Sequence, residues 1–189
     1  MTSLMRRSLC TAIAVTGAVL VGCGGSGETP SAPASDLRLT SPDFEGGQPI
    51  PAEFTADGAN RSPALKWSDA PDGTKCFVLT CIDPDAPAGP WVHWVAYAIG
   101  PSLDSLPAGV PPVAHHDESG VRQGVNSFGN LGYGGPDPPP GKVHHYVFTL
   151  YAVGATPTLP EKASKEAVVG AITPHVLAEA TLTGTYERE

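Results

Sequence analysis

The sequence predicts a single β-rich domain that ends in a short helical segment. Glycine and proline supply 22 and 21 of the 189 residues, and this share fills a chain with turns and breaks helix interiors. Three apolar runs have the length and the β-branched or aromatic content of buried strands. No helix-length periodicity appears before Pro160. A helical bundle is therefore disfavoured, and the length fits one domain with a sizeable core.

The predicted strands differ in the strength of their signals. The three strong runs are residues 76–82, 91–99 and 144–153, and the three weaker ones are residues 36–41, 64–68 and 181–186. The run 91–99 is almost continuously apolar, which indicates a central strand that is covered on both faces. Between the last two strong runs, residues 101–140 are crowded with Gly, Pro, Asn and Asp. We therefore expect a long irregular connection there.

The segment Pro160–Ala180 is the predicted helical part. Its apolar residues at helical spacing are Val168, Val169, Ile172, Val176 and Leu177. Pro160-Glu161 has the pattern of a helix start. Pro174 should break or kink the helix, so we expect two short pieces.

The first 22 residues have the pattern of a secretory signal peptide. Two arginines precede an apolar stretch over residues 9–21. That stretch is too short to span a bilayer comfortably, so a transmembrane anchor is the weaker alternative. The run Leu20-Val21-Gly22-Cys23 resembles the bacterial lipoprotein signal box, and the resemblance implies that Cys23 is lipidated and becomes the new N-terminus. We therefore expect a lipid anchor on the extracytoplasmic side of the bacterial membrane.

Residues 23–35 are predicted to be the lipidated cysteine and a flexible tether, because their Gly/Ser and then Pro/Ala content shows no periodicity. The folded domain should then span residues 36–189. The whole chain has 11 basic and 19 acidic residues, a formal net charge of −8, and loss of the signal peptide removes two more arginines. The acidic balance and the lack of a Lys/Arg cluster argue against a nucleic-acid-binding protein and against a polybasic membrane surface.

Two cysteines remain in the folded domain, Cys76 and Cys81, both within one predicted strand. In an extended strand they lie about 16 Å apart, beyond the reach of a disulfide bond. Their odd spacing also puts them on opposite faces of the strand. We interpret them as small buried apolar residues.

Polar side chains stand at the ends of apolar faces on the three strong strands. Strict alternation puts Asp83 at the end of the face that carries Phe77, Leu79 and Cys81. In the second strand, the same alternation puts His93 on one face with Trp91, Val95, Tyr97 and Ile99.

In the third strand, His144 and Tyr146 lead one apolar face and His145 points to the other. Taken singly, each residue has an ordinary structural explanation: Asp83 and Asp85 suit a turn around a proline, and Tyr146 suits a core position with its hydroxyl bonded. Should the strand ends meet, they would form a small polar pocket.

Four motifs form a combination that is more specific than any one of them. They read Asp83-Pro-Asp-Ala-Pro87, His93-Trp94, Asn126-Ser-Phe-Gly-Asn-Leu-Gly-Tyr133 leading into Gly-Gly-Pro-Asp-Pro-Pro-Pro-Gly141, and His144-His-Tyr146. In order and spacing they resemble the phosphatidylethanolamine-binding protein family, in its bacterial Raf-kinase-inhibitor-like branch. The resemblance covers roughly residues 37–186. It implies an antiparallel β-sheet sandwich with a short C-terminal helical segment.

The resemblance also implies a ligand pocket. The matching residues are Asp83, Asp85, His93, Pro138, Pro139, Gly141, His144 and Tyr146. The Pro-Pro-x-Gly loop is expected to contribute backbone groups, and its N–H groups would donate to an anion. The family's usual His-Arg-Tyr reads His144-His145-Tyr146 here, so His145 replaces an arginine that supports the neighbouring structure.

The function implied is an envelope-anchored, non-catalytic binding protein without a cofactor or metal. Histidines beside a carboxylate suit a phosphate ester, a phospholipid head group or a small carboxylate. The chain has no G-x-S-x-G, and no Ser-His-Asp constellation is recognisable. A phosphate-binding P-loop is absent as well. The kinase-inhibiting members of the family also suggest a protein–protein regulator, although export argues against a cytoplasmic kinase target.

The alternative is a metal-dependent phosphoesterase or another hydrolase. Its candidate ligands are Asp83, Asp85, His93, His115, His116, Asp117, His144 and His145. Metal catalysis needs three or more converging ligands and an open position. The alternation that separates His144 from His145 disfavours such a site. The sequence leaves both a monomer and a homodimer open.

Overall fold

The structure is a computed structural model that describes residues 36–116 and 119–189. In that part of the chain the strands are β1 Arg38–Thr40, β2 Leu65–Ser68, β3 Cys76–Asp83, β4 Trp91–Ile99, β5 Ser105–Leu106, β6 Arg122–Gln123, β7 His144–Val153 and β8 Val176–Tyr186. The helix α1 is Lys165–Ile172, and 3₁₀ turns cover Ala52–Phe54 and Thr173–His175. The predicted signal peptide, Cys23, the tether and Asp117 lie outside the described residues.

Two antiparallel sheets form the domain. The smaller sheet has the order β1-β2-β5, and the larger has the order β6-β4-β3-β7-β8. Strand β3 pairs with β4 on one side and with β7 on the other, and β7 pairs in turn with β8 over ten positions. The fold predicted from the sequence, mostly β with antiparallel sheets and a short C-terminal helix, is confirmed.

The larger sheet is covered on both faces. On one face, side chains such as Phe77 and Phe148 share a core cluster with Leu39 and Trp67 of the smaller sheet. On the other face, a second cluster joins Val78 and other strand residues to Val168 and Ile172 of α1. This double burial explains why the three strong strands read as nearly continuous apolar runs. No helix within residues 36–116 and 119–189 has the length and apolar character needed to cross a membrane.

The alternation predicted for β3 and β7 is confirmed. Leu79 and Cys81 lie in the main core with Tyr146, Phe148 and Leu150. His144 is buried and its neighbour His145 is exposed. The two strands stay in register over seven consecutive pairs, so each side chain keeps the face that strict alternation gives it.

The alternation predicted for β4 is wrong in part. A register shift makes Cys81 pair with Trp94 while the next residue, Ile82, pairs with Val92. His93 is therefore the extra residue of a β-bulge, and it faces the same side as Trp94. Beyond the bulge the faces are exchanged, so Val95 and Tyr97 lie in the second cluster.

The predicted helical segment extends too far at both ends, whereas the predicted break at Pro174 is confirmed. The helix begins at Lys165, because the side chain of Ser164 accepts the N–H of Ala167 and caps the first turn. It ends at Ile172, because Pro174 in the following 3₁₀ turn lacks an N–H and cannot continue the helix. Val176 and Leu177, predicted to be helical, belong to β8.

The two cysteines of the folded domain are free and buried, as predicted. Cys81 belongs to the main core and Cys76 to the second cluster, so the pair lies on opposite faces of the larger sheet. Burial raises the pKa of both thiols. Both are therefore packing residues in the reduced state.

Candidate functional site

A cavity of about 310 Å³ opens where β3 ends and where β4 and β7 begin. Two histidines and a carboxylate from these strands line it: Asp83, His93 and His144. These residues come together because β3 lies between its two antiparallel partners in the larger sheet. All three are buried, with only 2–3% of each residue exposed. The strand ends therefore do meet, in the arrangement expected from the sequence.

Asp83 and His144 form a buried pair beside the cavity. The Nδ1 of His144 lies 2.7 Å from the Oδ2 of Asp83, so the carboxylate assigns the ring proton to Nδ1. The other oxygen, Oδ1, accepts the backbone N–H of Asp85 at 2.8 Å. Both carboxylate oxygens are thus engaged within the protein. Asp83 orients the imidazole, and the ring nitrogen left for a ligand is the Nε2 of His144.

His93 is fixed in a similar way by the glycine-rich loop. Its Nδ1 donates to the carbonyl of Gly134 at 2.6 Å, and its own carbonyl accepts the N–H of Gly134 at 2.8 Å. Burial lowers the pKa of His93 below its ordinary value of 6.5, and the Gly134 hydrogen bond and the charge of Asp83 partly oppose this effect. Near neutral pH the ring is therefore uncharged, with Nε2 as a hydrogen-bond acceptor.

Tyr146 supports the site from beneath and does not line the cavity. Its ring packs edge-on against His93, with centroids 5.0 Å apart. The side chain is fully buried, and its hydroxyl makes no hydrogen bond to the residues that the structure describes. Burial and the nearby Asp83 raise the pKa of this phenol. Tyr146 is therefore a neutral packing residue under His93.

Asp85 and His145 form a second Asp–His pair outside the cavity. The carboxylate of Asp85 accepts both the backbone N–H of His145 at 2.9 Å and the Nδ1 of its ring at 2.7 Å. These bonds, and Lys142 at 4.0 Å, lower the pKa of Asp85. The structure thus separates the two aspartates of the D-P-D motif: Asp83 points inward and Asp85 secures the start of β7.

The glycine- and proline-rich loop shapes one wall of the cavity. Pro138 and Pro139 line it, together with Asp137. The N–H of Gly134 donates to His93, that of Gly135 donates to the side chain of Asn60, and that of Gly141 donates to the carbonyl of Arg188. Contrary to the expectation of backbone donors, these three N–H groups are already bound within the protein. Gly141 does not line the cavity.

Two aromatic residues that the sequence reasoning missed form the opposite wall. Trp91 and Phe128 pack edge to face, 5.4 Å between centroids. Asn126 holds Phe128 in place, because its Oδ1 accepts the N–H groups of Phe128 and Asn130. The indole N–H of Trp91 is buried and has no hydrogen-bond partner in the described part of the chain. The signals were present in the Asn126–Tyr133 motif and in an aromatic residue at a strand end.

Two further metal-ligand candidates, His115 and His116, do not join this site. His115 and His116 line a different cavity, formed with residues around β5. The Nε2 of His116 lies 3.1 Å from the amide nitrogen of Gln123. Within the described ranges, no three His, Cys, Asp or Glu side chains are grouped as metal ligands.

The arrangement can bind a small polar group between aromatic walls. Each histidine gives its Nδ1 proton to the protein and keeps Nε2 for a ligand. An uncharged Nε2 accepts a hydrogen bond, whereas a protonated Nε2 donates one to an anion. None of the lining residues is a Ser, Thr, Cys or Lys. The cavity lining therefore has no hydroxyl, thiol or amine nucleophile.

Comparisons with known proteins agree with this architecture. The family model described as phosphatidylethanolamine-binding protein matches residues 40–187. A UPF0098 protein of Aquifex aeolicus is 40% identical over 161 residues, covering 84% of this chain and 93% of the relative. The protein named "Putative lipoprotein LppC" of Mycobacterium tuberculosis H37Rv is 37% identical over 210 residues, covering 99% of this chain and all of the relative. Escherichia coli YbcL, solved as a new member of the mammalian PEBP family, has a TM-score of 0.73 at 32% identity, covering 81% of this chain and 99% of YbcL.

Proposed function

Because this chain belongs to the phosphatidylethanolamine-binding protein family, we propose that it is a lipid-anchored binding protein of the bacterial envelope whose cavity holds a small anion. The anion would be a phosphate ester, a phospholipid head group or a carboxylate. The observation that carries the proposal is the convergence of His93 and His144 on one buried cavity, each with Nδ1 bound to the protein. Two oriented imidazoles supply charge-assisted hydrogen bonds once they are protonated.

Binding without catalysis fits the residues that line the cavity. Hydrolysis of an ester needs a nucleophile, an activated water or a metal ion. Asp83, the buried carboxylate, already has both oxygens in hydrogen bonds to the protein. It is thus poorly placed to activate a water molecule, and it serves to orient His144.

Calorimetric titration of the purified protein tests the proposal. Dimethyl phosphate is the simple anion, since a phosphodiester keeps one negative charge at all pH values of interest. Glycerophosphoethanolamine represents the phospholipid head group. We expect saturable binding of both at one site. The absence of binding by either probe, or turnover of a phosphodiester substrate, would contradict the proposal.

The affinity for dimethyl phosphate should depend on pH. Because burial lowers the pKa of His93 below 6.5, its ring gains a proton only under mildly acidic conditions. The charged groups that face it are Asp83, Asp137 and, when protonated, His144. As the pH falls from about 8 to about 5.5, we expect the affinity to rise about three- to tenfold. An affinity that is constant or falls over this range would contradict the role of an imidazolium.

Membrane anchoring is the second part of the proposal, and the similarity to LppC supports it. The substitution Cys23→Ser removes the sulfur to which the lipid would be attached. We expect the variant to accumulate as an unprocessed precursor or in the soluble fraction, whereas the wild-type protein stays with the membrane. Fractionation and intact mass measure this directly. Equal processing and equal membrane association of the two proteins would show that Cys23 is not the anchor.

A further inference from the structure

Arg188, just beyond the end of β8, binds two carboxylates at once. Its Nε and Nη2 donate to the two oxygens of Asp57 at 2.9 and 2.6 Å. The same Nη2 lies 2.6 Å from the Oδ1 of Asp137. Asp57 is also held by the hydroxyl of Tyr186 at 2.8 Å. The bidentate pair with Asp57 therefore fixes the orientation of the guanidinium, and in that orientation its Nη2 also pairs with the carboxylate of Asp137.

Arg188 also contacts the loop that carries Asp137. Its Nη1 lies 3.4 Å from the carbonyl oxygen of Pro138, and its backbone carbonyl accepts the N–H of Gly141 at 3.1 Å. Asp137 and Pro138 both line the cavity, whereas Arg188 does not. A residue near the C-terminus thus controls the charge and the position of a cavity wall without touching a ligand there.

The contact with Arg188 matters for ligand binding because Asp137 is a charged residue of the cavity wall. The cavity already contains the buried carboxylate of Asp83. A second, unpaired carboxylate at the wall would repel an anionic ligand and attract a cationic one. The three side chains of the network are partly exposed, with 29% for Arg188, 39% for Asp57 and 42% for Asp137. Solvent therefore weakens the attraction between Arg188 and the two carboxylates. It does not abolish this attraction, because the Arg188–Asp57 pair is bidentate and part of a network.

We propose that Arg188 is the positioning residue that sets the charge preference of the cavity: by neutralising Asp137 it allows the site to accept an anion. This inference rests on the proposed function, because it concerns the same cavity. The motifs of the binding pocket include Asp137 but neither Arg188 nor Asp57. The influence of Asp137 reaches the ligand-facing histidines, since its charge favours the protonated form of His93.

The test compares Arg188→Gln with Arg188→Lys and with the double variant Arg188→Gln/Asp137→Asn. Calorimetry measures the affinity of the full-length protein for dimethyl phosphate and, separately, for ethanolamine as its cation. The matched control is Arg38→Gln, which removes an arginine paired at 3.8 Å with Asp69 on the smaller sheet. An NMR titration of the His93 ring gives a second readout that does not depend on binding.

We expect Arg188→Gln to lower the affinity for dimethyl phosphate about three- to tenfold and to raise the affinity for ethanolamine. The double variant should return to within about twofold of the wild type, because the unpaired carboxylate has been removed together with its partner. Arg188→Lys should keep most of the affinity, and Arg38→Gln should change neither affinity. The pKa of His93 should rise in Arg188→Gln and fall back in the double variant.

Three results would overturn the inference. In the first, wild type binds dimethyl phosphate and Arg188→Gln binds it equally well. In the second, Arg188→Gln loses affinity but the double variant does not recover, which would make the role of Arg188 purely one of loop position. In the third, the pKa of His93 is the same in all variants. Failure of the wild-type protein to bind dimethyl phosphate overturns the proposed function itself, and the charge preference falls with it.

Discussion

Replacing His144 should lower the affinity for dimethyl phosphate about ten- to a hundredfold, the usual effect of removing one donor to a bound charged group. His144 provides a ring nitrogen at the cavity, while its Nδ1 is held by Asp83 at 2.7 Å. His144→Ala removes both functions. His144→Asn keeps an N–H that can reach Asp83 but has nothing in the place of Nε2. We therefore expect both variants to lose affinity to a similar extent, with the asparagine variant more stable than the alanine variant.

The adjacent residue provides a matched control. His145 also binds an aspartate through Nδ1, at the same distance of 2.7 Å. Its side chain is 53% exposed, however, and lies outside the cavity. His145→Ala should therefore leave the affinity within about twofold of the wild type, and it should cost less than about 1 kcal/mol of stability. Calorimetry and urea unfolding of the three variants decide the matter. Equal loss of affinity in His145→Ala and His144→Ala would mean that the ligand is not bound at this cavity.

His93→Ala should weaken binding by a similar order. Its ring is the second one at the cavity, and it is held between the Gly134 carbonyl and the ring of Tyr146. The pH dependence of binding should shrink in this variant, because the ring with the lowered pKa is gone. A His93→Ala protein with the full pH dependence of the wild type would assign that dependence to other groups.

The sequence predicts well those parts of the fold in which a regular period is kept. On β3 and β7 the alternation holds over the whole shared register, and it correctly separates His144 from His145. On β4 it fails because the pairing with β3 has two register shifts. The bulge at His93 moves Val95 and Tyr97 to the opposite face, and the second shift returns Ile99 to the main core. One-residue shifts of this kind leave no trace in the hydrophobic pattern of a strand that is buried on both sides.

His93 lines the cavity as the sequence predicts, but strict alternation along β4 is not the reason. Strict alternation puts it on one face with Val95 and Tyr97, which in fact pack on the other side of the sheet. It reaches the cavity because the bulge turns it and Trp94 to the same face. The error at Val176 and Leu177 has a related origin: short apolar segments fit helical and extended periods equally well. In the folded protein this segment is extended, because β8, which begins at Val176, pairs with β7.

The aromatic wall and the Arg188 network were out of reach of sequence reasoning for another reason. The bond between Arg188 and Asp57 joins residues 131 positions apart, and no local pattern carries such a contact. Trp91 and Phe128 come from different segments and meet only in the folded chain. The family motifs name the residues at the base of the cavity. The aromatic wall and the charge balance at Asp137 come from tertiary structure.

The first aspartate of the D-P-D motif should be far more important for stability than the second. Asp83→Ala leaves two donors without their acceptor, the N–H of Asp85 and the Nδ1–H of His144. Each unsatisfied buried group costs about 1–3 kcal/mol, so we expect the free energy of unfolding to fall by about 2–5 kcal/mol. Asp85→Ala removes a carboxylate that is partly exposed and bound to an exposed histidine, so its cost should stay below about 1 kcal/mol.

Urea unfolding of the two alanine variants measures this difference, and Asp83→Asn refines it. The asparagine side chain offers one acceptor oxygen to the two donors that Asp83 satisfies. We therefore expect Asp83→Asn to lie between Asp83→Ala and the wild type in stability. It should also bind dimethyl phosphate less well, because His144 loses the carboxylate that fixes its tautomer and orients its ring. If Asp83→Ala were no less stable than Asp85→Ala, the buried pair would not be what holds the base of the cavity together, and the orientation of His144 would have to come from its packing alone.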